Sequence, residues 1–184
     1  MIEVYRNPYF SVEYDRDYFS LTFPTPRVII VPIIANDHLL MVMTNRPIIG
    51  RPALEFPVGG ANVGESLESC AVRELREETG VRITDTSRLV QLPSIYPMPA
   101  RMKDKTHLFY VQLTQPEFES RTTHDREIDC VKDFSHREVM EMAISGDFFT
   151  STHISAFFIY LAGASKISLA EEGEIGDLNP CPTS

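Results

Sequence analysis

Residues 59–81 read GGANVGESLESCAVRELREETGV. Two glycines open the stretch, Ser66 stands where an N-cap belongs, and Gly80 stands where a C′ residue belongs, so a helix is expected over Ser66 to Thr79. At about 100° per residue, Leu67, Cys70 and Ala71 share a face, and the same stripe continued by threes and fours reaches Glu74 and Glu78. The stripe begins apolar and ends acidic, so these carboxylates point toward the body of the protein. Two penalties follow. Acids in the last turn oppose the helix dipole, and like charges at i, i+4 cost a few tenths of a kcal/mol. Surface ion pairs would be the plain explanation for a charge run, and Arg73 can pair with Glu77. A hard divalent cation held by several carboxylate oxygens would instead reverse both penalties, and its site must face a cleft. Gly59 and Gly60 let backbone approach a ligand or metal closely.

Outward from this helix, the chain has 184 residues, 43% hydrophobic and 23% charged, as expected of one globular domain with a real core. No apolar run approaches the roughly 18 residues that span a bilayer, and the N-terminus MIEVYRNPYF lacks the basic and apolar regions of a signal peptide. Cys70, Cys130 and Cys181 are odd in number and widely spaced, which argues against a disulfide framework or a zinc site and for a reducing, cytoplasmic home. A net charge of −9 disfavours nucleic acid as a partner but not a small polyanion bridged by a cation.

Residues 1–26 alternate aromatic and polar positions and read as two strands around a DRD turn. RVIIVPII is a buried strand, AND a turn and HLLMVMTNR its hairpin partner. Residues 47–64 are rich in Pro and Gly and read as loop with a short strand at most. SRLVQL and THLFYVQL read as strands, 115–126 as a long polar loop and 127–134 as a short strand. HREVMEMAIS is an amphipathic helix closed by Gly146, and STHISAFFIYLAG a buried one. His124 and His153 have no partner at metal-ligand spacing and read as surface or helix-end histidines. The expected class is α+β, with an N-terminal ribbon over 1–26, a main domain over 27–164 and an acidic, mobile tail over 165–184.

Gly59-x5-Glu65-x7-Arg73-Glu74-Leu75-x-Glu77-Glu78-x-Gly80-Val81 matches all nine defined positions of the Nudix box. The chain therefore resembles a Nudix hydrolase. The stretches RVIIVPII, HLLMVMTNRP and EFPVGG resemble the ADP-ribose and nucleoside diphosphate sugar branch. The resemblance implies a mixed sheet between helices with an N-terminal antiparallel ribbon. It also implies metal-dependent hydrolysis of a nucleoside diphosphate sugar to a nucleoside monophosphate and a sugar phosphate. By that likeness Glu74, Glu77 and Glu78 bind Mg²⁺, with Mn²⁺ able to substitute, and the backbone carbonyl near Val58 is a further ligand. Arg73 orients the glutamates, and Glu65 supports them from nearer the helix start.

Arg46 and Glu55 stand where relatives line the substrate site or bind metal; an ion pair between them is the alternative. Gly59 and Gly60 would approach the substrate. Met98-Pro99-Ala100 and Asp104 occupy the segment that usually carries Ser-Pro-Gly and then an acidic residue, so the lost glycine and the shorter acid bear on how the sugar fits. Arg101, Lys103 and Lys105 either meet phosphate or form a solvated loop. The base is expected on the loop ending THDREIDC, with Glu127 first and Asp125 second, against loop charges facing water. The aromatic ribbon resembles strands exchanged across a homodimer; core packing is the alternative.

Two rivals remain. A nucleoside triphosphate or RNA-cap pyrophosphohydrolase is disfavoured by the extra N-terminal strands and by the acidic balance. A non-cutting sensor of nucleotide sugars is disfavoured by the full set of box glutamates.

Overall fold

The computed structural model describes residues 1–35 and 38–163. The tail expected over 165–184, Cys181 and part of the AND turn lie outside them. The N-terminal ribbon has three strands rather than two: β1 (Ile2–Arg6), β2 (Ser11–Asp15) and β3 (Tyr18–Thr22), paired in that order and antiparallel. Arg16 and Asp17, at φ 45° and 67°, form the tight turn between β2 and β3, a backbone shape that suits a twisted hairpin.

The main sheet is mixed. It comprises β4 (Arg27–Ile34), β5 (His38–Arg46), β6 (Arg51–Glu55), β7 (Val58–Gly60), β8 (Val90–Ile95), β9 (Thr106–Gln112) and β10 (Ile128–Ser135). Its order is β10-β5-β4-β9-β8, with β6 on β5 and β7 on β4; β4 and β9 are parallel. Residues of β4 alternate between two cores. Ile29, Val31 and Ile33 face the side covered by α3 (His136–Ser145) and α4 (Ser151–Gly163), through Val139, Phe157 and Tyr160. Val28, Ile30 and Ile34 face α1 (Leu67–Thr79), through Cys70, Ala71 and Leu75. Both faces of β4 are therefore apolar, which explains its uninterrupted run, and the architecture is helix, sheet, helix as expected.

Two segments expected to be loops are ordered. Residues 47–64 contain β6 and β7. Pro52 is tolerated because β6 pairs only with β5, leaving it on an edge where no ladder N–H is needed. Residues 115–119 form a one-turn helix, α2 (Gln115–Glu119), started by a capping box in which Thr114 and Glu117 satisfy each other's backbone N–H.

Candidate active site

Helix α1 begins as its sequence demands. Ser66 Oγ accepts the Ser69 N–H at 3.1 Å, and Gly80 closes the helix at φ 75° with its N–H on Arg76 O. Cys70, Ala71, Glu74, Leu75 and Thr79 are buried, so the acidic continuation of the apolar stripe is real.

Arg73 is the hub of this face. Its Nε and Nη2 donate to the two oxygens of Glu65, both at 2.9 Å. Nη1 donates to Glu74 Oε1 at 2.7 Å and to Glu77 Oε2 at 2.9 Å, and Nη2 also reaches Gly60 O at 2.9 Å. One planar guanidinium thus gathers three box carboxylates and the glycine strand. Its bonds to Arg73 hold the Glu65 carboxyl below its ordinary value. Burial pushes Glu74 up, and Arg73 offsets this in part. Gly59 passes so close that a Cβ there would lie 1.9 Å from Glu74 Oε1.

Glu78 is different. It accepts one N–H, from Val58 at 3.0 Å. Burial pushes its carboxyl up to about 8; the Val58 bond opposes this, and the nearby charges of Glu74 and Glu55 add to it. No three acidic, His or Cys groups converge as a ready metal cage among the described residues, because Glu74 and Glu77 are turned onto Arg73. The donors nevertheless fit a hard cation: they are carboxylate oxygens, and Glu78 is a half-buried acid with no cationic partner in contact among the described residues.

Beside Glu78 runs a second polar group. Glu55, its side chain 3% exposed, takes Arg46 Nε at 3.1 Å on one oxygen and Arg46 Nη2 on the other. Thr150 Oγ1 donates to Glu55 Oε1 at 3.4 Å. His153 is not a surface histidine. It is 3% exposed, its Nδ1 accepts the Phe56 N–H at 3.0 Å, and its Nε2 faces Glu55 Oε2 at 3.6 Å. The first turn of α4 is driven under the β6–β7 turn, which is why a helix-end residue is buried there. Burial pushes the ring's pKa down to about 4, so it is neutral at pH 7.

Arg46, Glu55, Val58 and His153 line a cleft of roughly 560 Å³ whose walls are mostly apolar, with Phe23, Ile48, Met102 and Phe149 among them. These apolar residues were missed in the sequence because they come from four separate segments that no motif joins. Pro99, expected near the substrate, lies at a second depression with Met1, Arg16 and Tyr18, and Met102 lines both this depression and the cleft. Asp104 accepts the Phe23 N–H at 2.8 Å, so its carboxylate ties the ribbon to the main domain. Lys103 likewise pairs with Glu13 at 2.6 Å. The loop expected to carry the base docks on the end of α1. Thr122 N–H donates to Gly80 O at 3.0 Å and Asp125 N–H to Glu77 O at 2.8 Å. Glu127 is exposed, its carbonyl accepts Thr44 Oγ1 at 3.1 Å, and its charge acts on Arg46.

The family model of the NUDIX domain matches residues 24–157. The chain belongs to the Nudix family. Hydrolases of this family generally use a divalent metal, in keeping with the acids of α1. A mouse (Mus musculus) ADP-sugar pyrophosphatase is 39% identical over 59 residues, 30% of this chain and 27% of its own. A Bacillus subtilis (strain 168) protein provisionally assigned as an 8-oxo-dGTP diphosphatase is 30% identical over 82 residues, 45% of this chain and 50% of its own. The chain thus spans between about a fifth and a half of the length of the curated relatives it matches. A crystal structure of an ADP compounds hydrolase superposes with a TM-score of 0.66 at 23% identity, over 90% of this chain and 94% of that one, and so shares the fold. Among the described residues no helix is long and apolar enough to cross a membrane.

Proposed function

We propose that this Nudix protein hydrolyses the pyrophosphate bond of a nucleoside diphosphate sugar such as ADP-ribose, releasing a nucleoside monophosphate and a sugar phosphate. The observation that carries this reading is the placement of Glu55 and Glu78. Buried Glu55 lines a mostly apolar cleft large enough for a nucleoside, and half-buried Glu78, which has no cationic partner in contact among the described residues, is bonded to Val58 on the wall of the same cleft. Glu74, Glu77 and Glu78, with the Val58 carbonyl, would hold Mg²⁺ or Mn²⁺. A metal held there would neutralise the diphosphate and lower the pKa of a water molecule. Arg73 keeps the carboxylates on one face, Gly59 and Gly60 bring backbone close, and Arg46 offers its free N–H groups to a phosphate. Glu127, with Asp125 as the second choice, takes the proton of the water that attacks phosphorus as the P–O–P bridge breaks. Phe23 and Phe149 supply rings against which a base can pack.

The ribbon exposes Ile2, Val4, Tyr5, Tyr18 and Phe19, and this supports a homodimer built on β1 to β3. The widely spaced cysteines support a cytoplasmic home. A triphosphate-cleaving reading is kept because of the Bacillus subtilis relative. The test is a panel of ADP-ribose, ADP-glucose, GDP-mannose, UDP-glucose, a dinucleoside polyphosphate and dGTP with Mg²⁺, followed by phosphatase and a phosphate assay. Cleavage of diphosphate sugars that EDTA abolishes is expected. Turnover of dGTP alone would replace this reading with the triphosphate one.

A further inference from the structure

The His153 ring is buried, bonded to backbone on one side and aimed at a charged pair on the other, and the chemistry above gives it no task. Its Nδ1 accepts the Phe56 N–H at 3.0 Å, so the neutral ring must carry its proton on Nε2. That N–H faces Glu55 Oε2 at 3.6 Å. Glu55 in turn holds Arg46 through Nε and Nη2. Two of the five guanidinium donors are engaged by Glu55, which leaves three free, on a side chain 44% exposed at the cleft. Glu55 is itself almost wholly enclosed, so its orientation is set by what surrounds it: Arg46, Thr150 and His153.

We propose that His153 is a positioning residue: acting through Glu55, it fixes the plane of the Arg46 guanidinium so that the free donors meet an anionic phosphate of the substrate. The inference rests on the reading of the substrate as a phosphate ester held in this cleft. The chain Phe56 N–H to His153 to Glu55 to Arg46 runs from the backbone of the β6–β7 turn to the cleft wall. It places the anion-binding arm under the control of the strand turn that also holds Glu78 through Val58. A well-aimed arginine contact discriminates by geometry, and loosening its carboxylate support costs binding before it costs chemistry.

Two variants separate this role from packing. His153→Asn keeps an acceptor near Nδ1 for Phe56 and removes the donor facing Glu55. His153→Gln extends a donor toward Glu55 and gives up the Phe56 bond. Each is titrated with ADP in Mg²⁺ buffer by calorimetry, assayed for KM and kcat on ADP-ribose, and melted. His153→Asn is expected to weaken ADP binding and raise KM by about fivefold, with kcat within about twofold and Tm near wild type. His153→Gln is expected to bind ADP as wild type does but to melt lower. In an Arg46→Gln, Glu55→Gln background, where both charges are gone, His153→Asn should leave ADP affinity unchanged. Unchanged ADP affinity in His153→Asn, or the same loss in both backgrounds, overturns the proposal. If the Asn variant does not fold, the Gln variant decides: a several-fold loss of ADP affinity there overturns it. A wild type that binds ADP but cleaves no diphosphate sugar would sink the substrate reading, while the binding comparison still decides the role of His153. A wild type that does not bind ADP overturns both.

Discussion

Replacing Glu78 with Gln should destroy activity and stabilise the metal-free protein. In the folded chain burial pushes the Glu78 carboxyl from the ordinary 4.5 up to about 8. The folded protein therefore keeps a proton between those values that the unfolded chain has released, and the contribution of Glu78 to wild-type stability falls as pH rises from 4.5 to 8. The gap sets a ceiling of about 5 kcal/mol at pH 8, and relaxation with water entry reduces this to about 1–2 kcal/mol. Gln carries no proton to lose, has nearly the same shape, and can still accept the Val58 N–H. Melting both proteins in EDTA across pH 4.5 to 8 should show a difference near zero at the acid end. By pH 8 it should reach about 3–8 °C in favour of the variant. Taking the difference cancels the shared titrating groups that do not interact with Glu78, and leaves in it the response of Glu74 and Glu55, which do. Mg²⁺ at pH 8 should raise the wild-type Tm far more than that of the variant. A variant that melts at or below wild type at pH 8 in EDTA would refute both the burial argument and the picture of an acid awaiting a cation.

Other outcomes follow from the same geometry. Glu127→Gln should lower kcat about a hundredfold or more with KM within a few-fold, and Asp125→Asn should do much less; a change in KM alone would remove Glu127 as the base. Gly59→Ala should lower Tm and cost at least about tenfold in turnover, because the three atoms nearest the added methyl all belong to the buried Glu74 carboxylate that Arg73 holds; wild-type turnover would mean that Glu74 has no fixed place. Bonds from Arg88 hold the Glu117 carboxyl down at about 2, so the pair stabilises above the ordinary 4.5 and the benefit is lost as pH falls through about 2. Arg88→Ala should cost about 1 kcal/mol at pH 7 by urea unfolding, and the deficit should close toward pH 2; a constant deficit would assign it to packing.

The reach of the sequence is clearest at α1. Its caps, its buried stripe and the Arg73–Glu77 pair follow from spacing, because a helix is a local structure with one period, whereas the bonds of Arg73 to Glu65, which lies before the helix, and to Glu74 do not. The apolar run of β4 also declared itself, although which residues face which helix layer depends on partners far along the chain. Long-range contacts were not legible. Residues 47–64 look like loop because Pro and Gly speak against strands, and only the edge position beside β5 makes β6 possible. His153 reads as a helix-end histidine because nothing local records that α4 starts beneath Phe56. The spacing that singled out Pro99 and Asp104 does not record that Pro99 sits at a depression beside the ribbon or that Asp104 accepts the Phe23 N–H. The walls of the cleft, drawn from Phe23, Ile48, Met102 and Phe149, leave no pattern in one dimension.

The docking of residues 122–125 on the end of α1 matters to anyone who wishes to re-engineer this chain. A Cβ at Gly80 would lie 2.0 Å from Thr122 O, so a larger residue there would pry the segment off. Downstream of that clasp, Asp125 and Glu127 are held at a set distance from the acids of α1. Upstream of it, α2 buries none of its residues and is stapled separately at Thr114. Glu119 to Arg121, past the Glu117–Arg88 pair and past Phe118 on the α1-side core, is therefore a natural place to splice in a tag, a fluorophore or a tethering module. An insertion between Thr122 and Asp125 would instead part the two bonds that dock this segment on the end of α1.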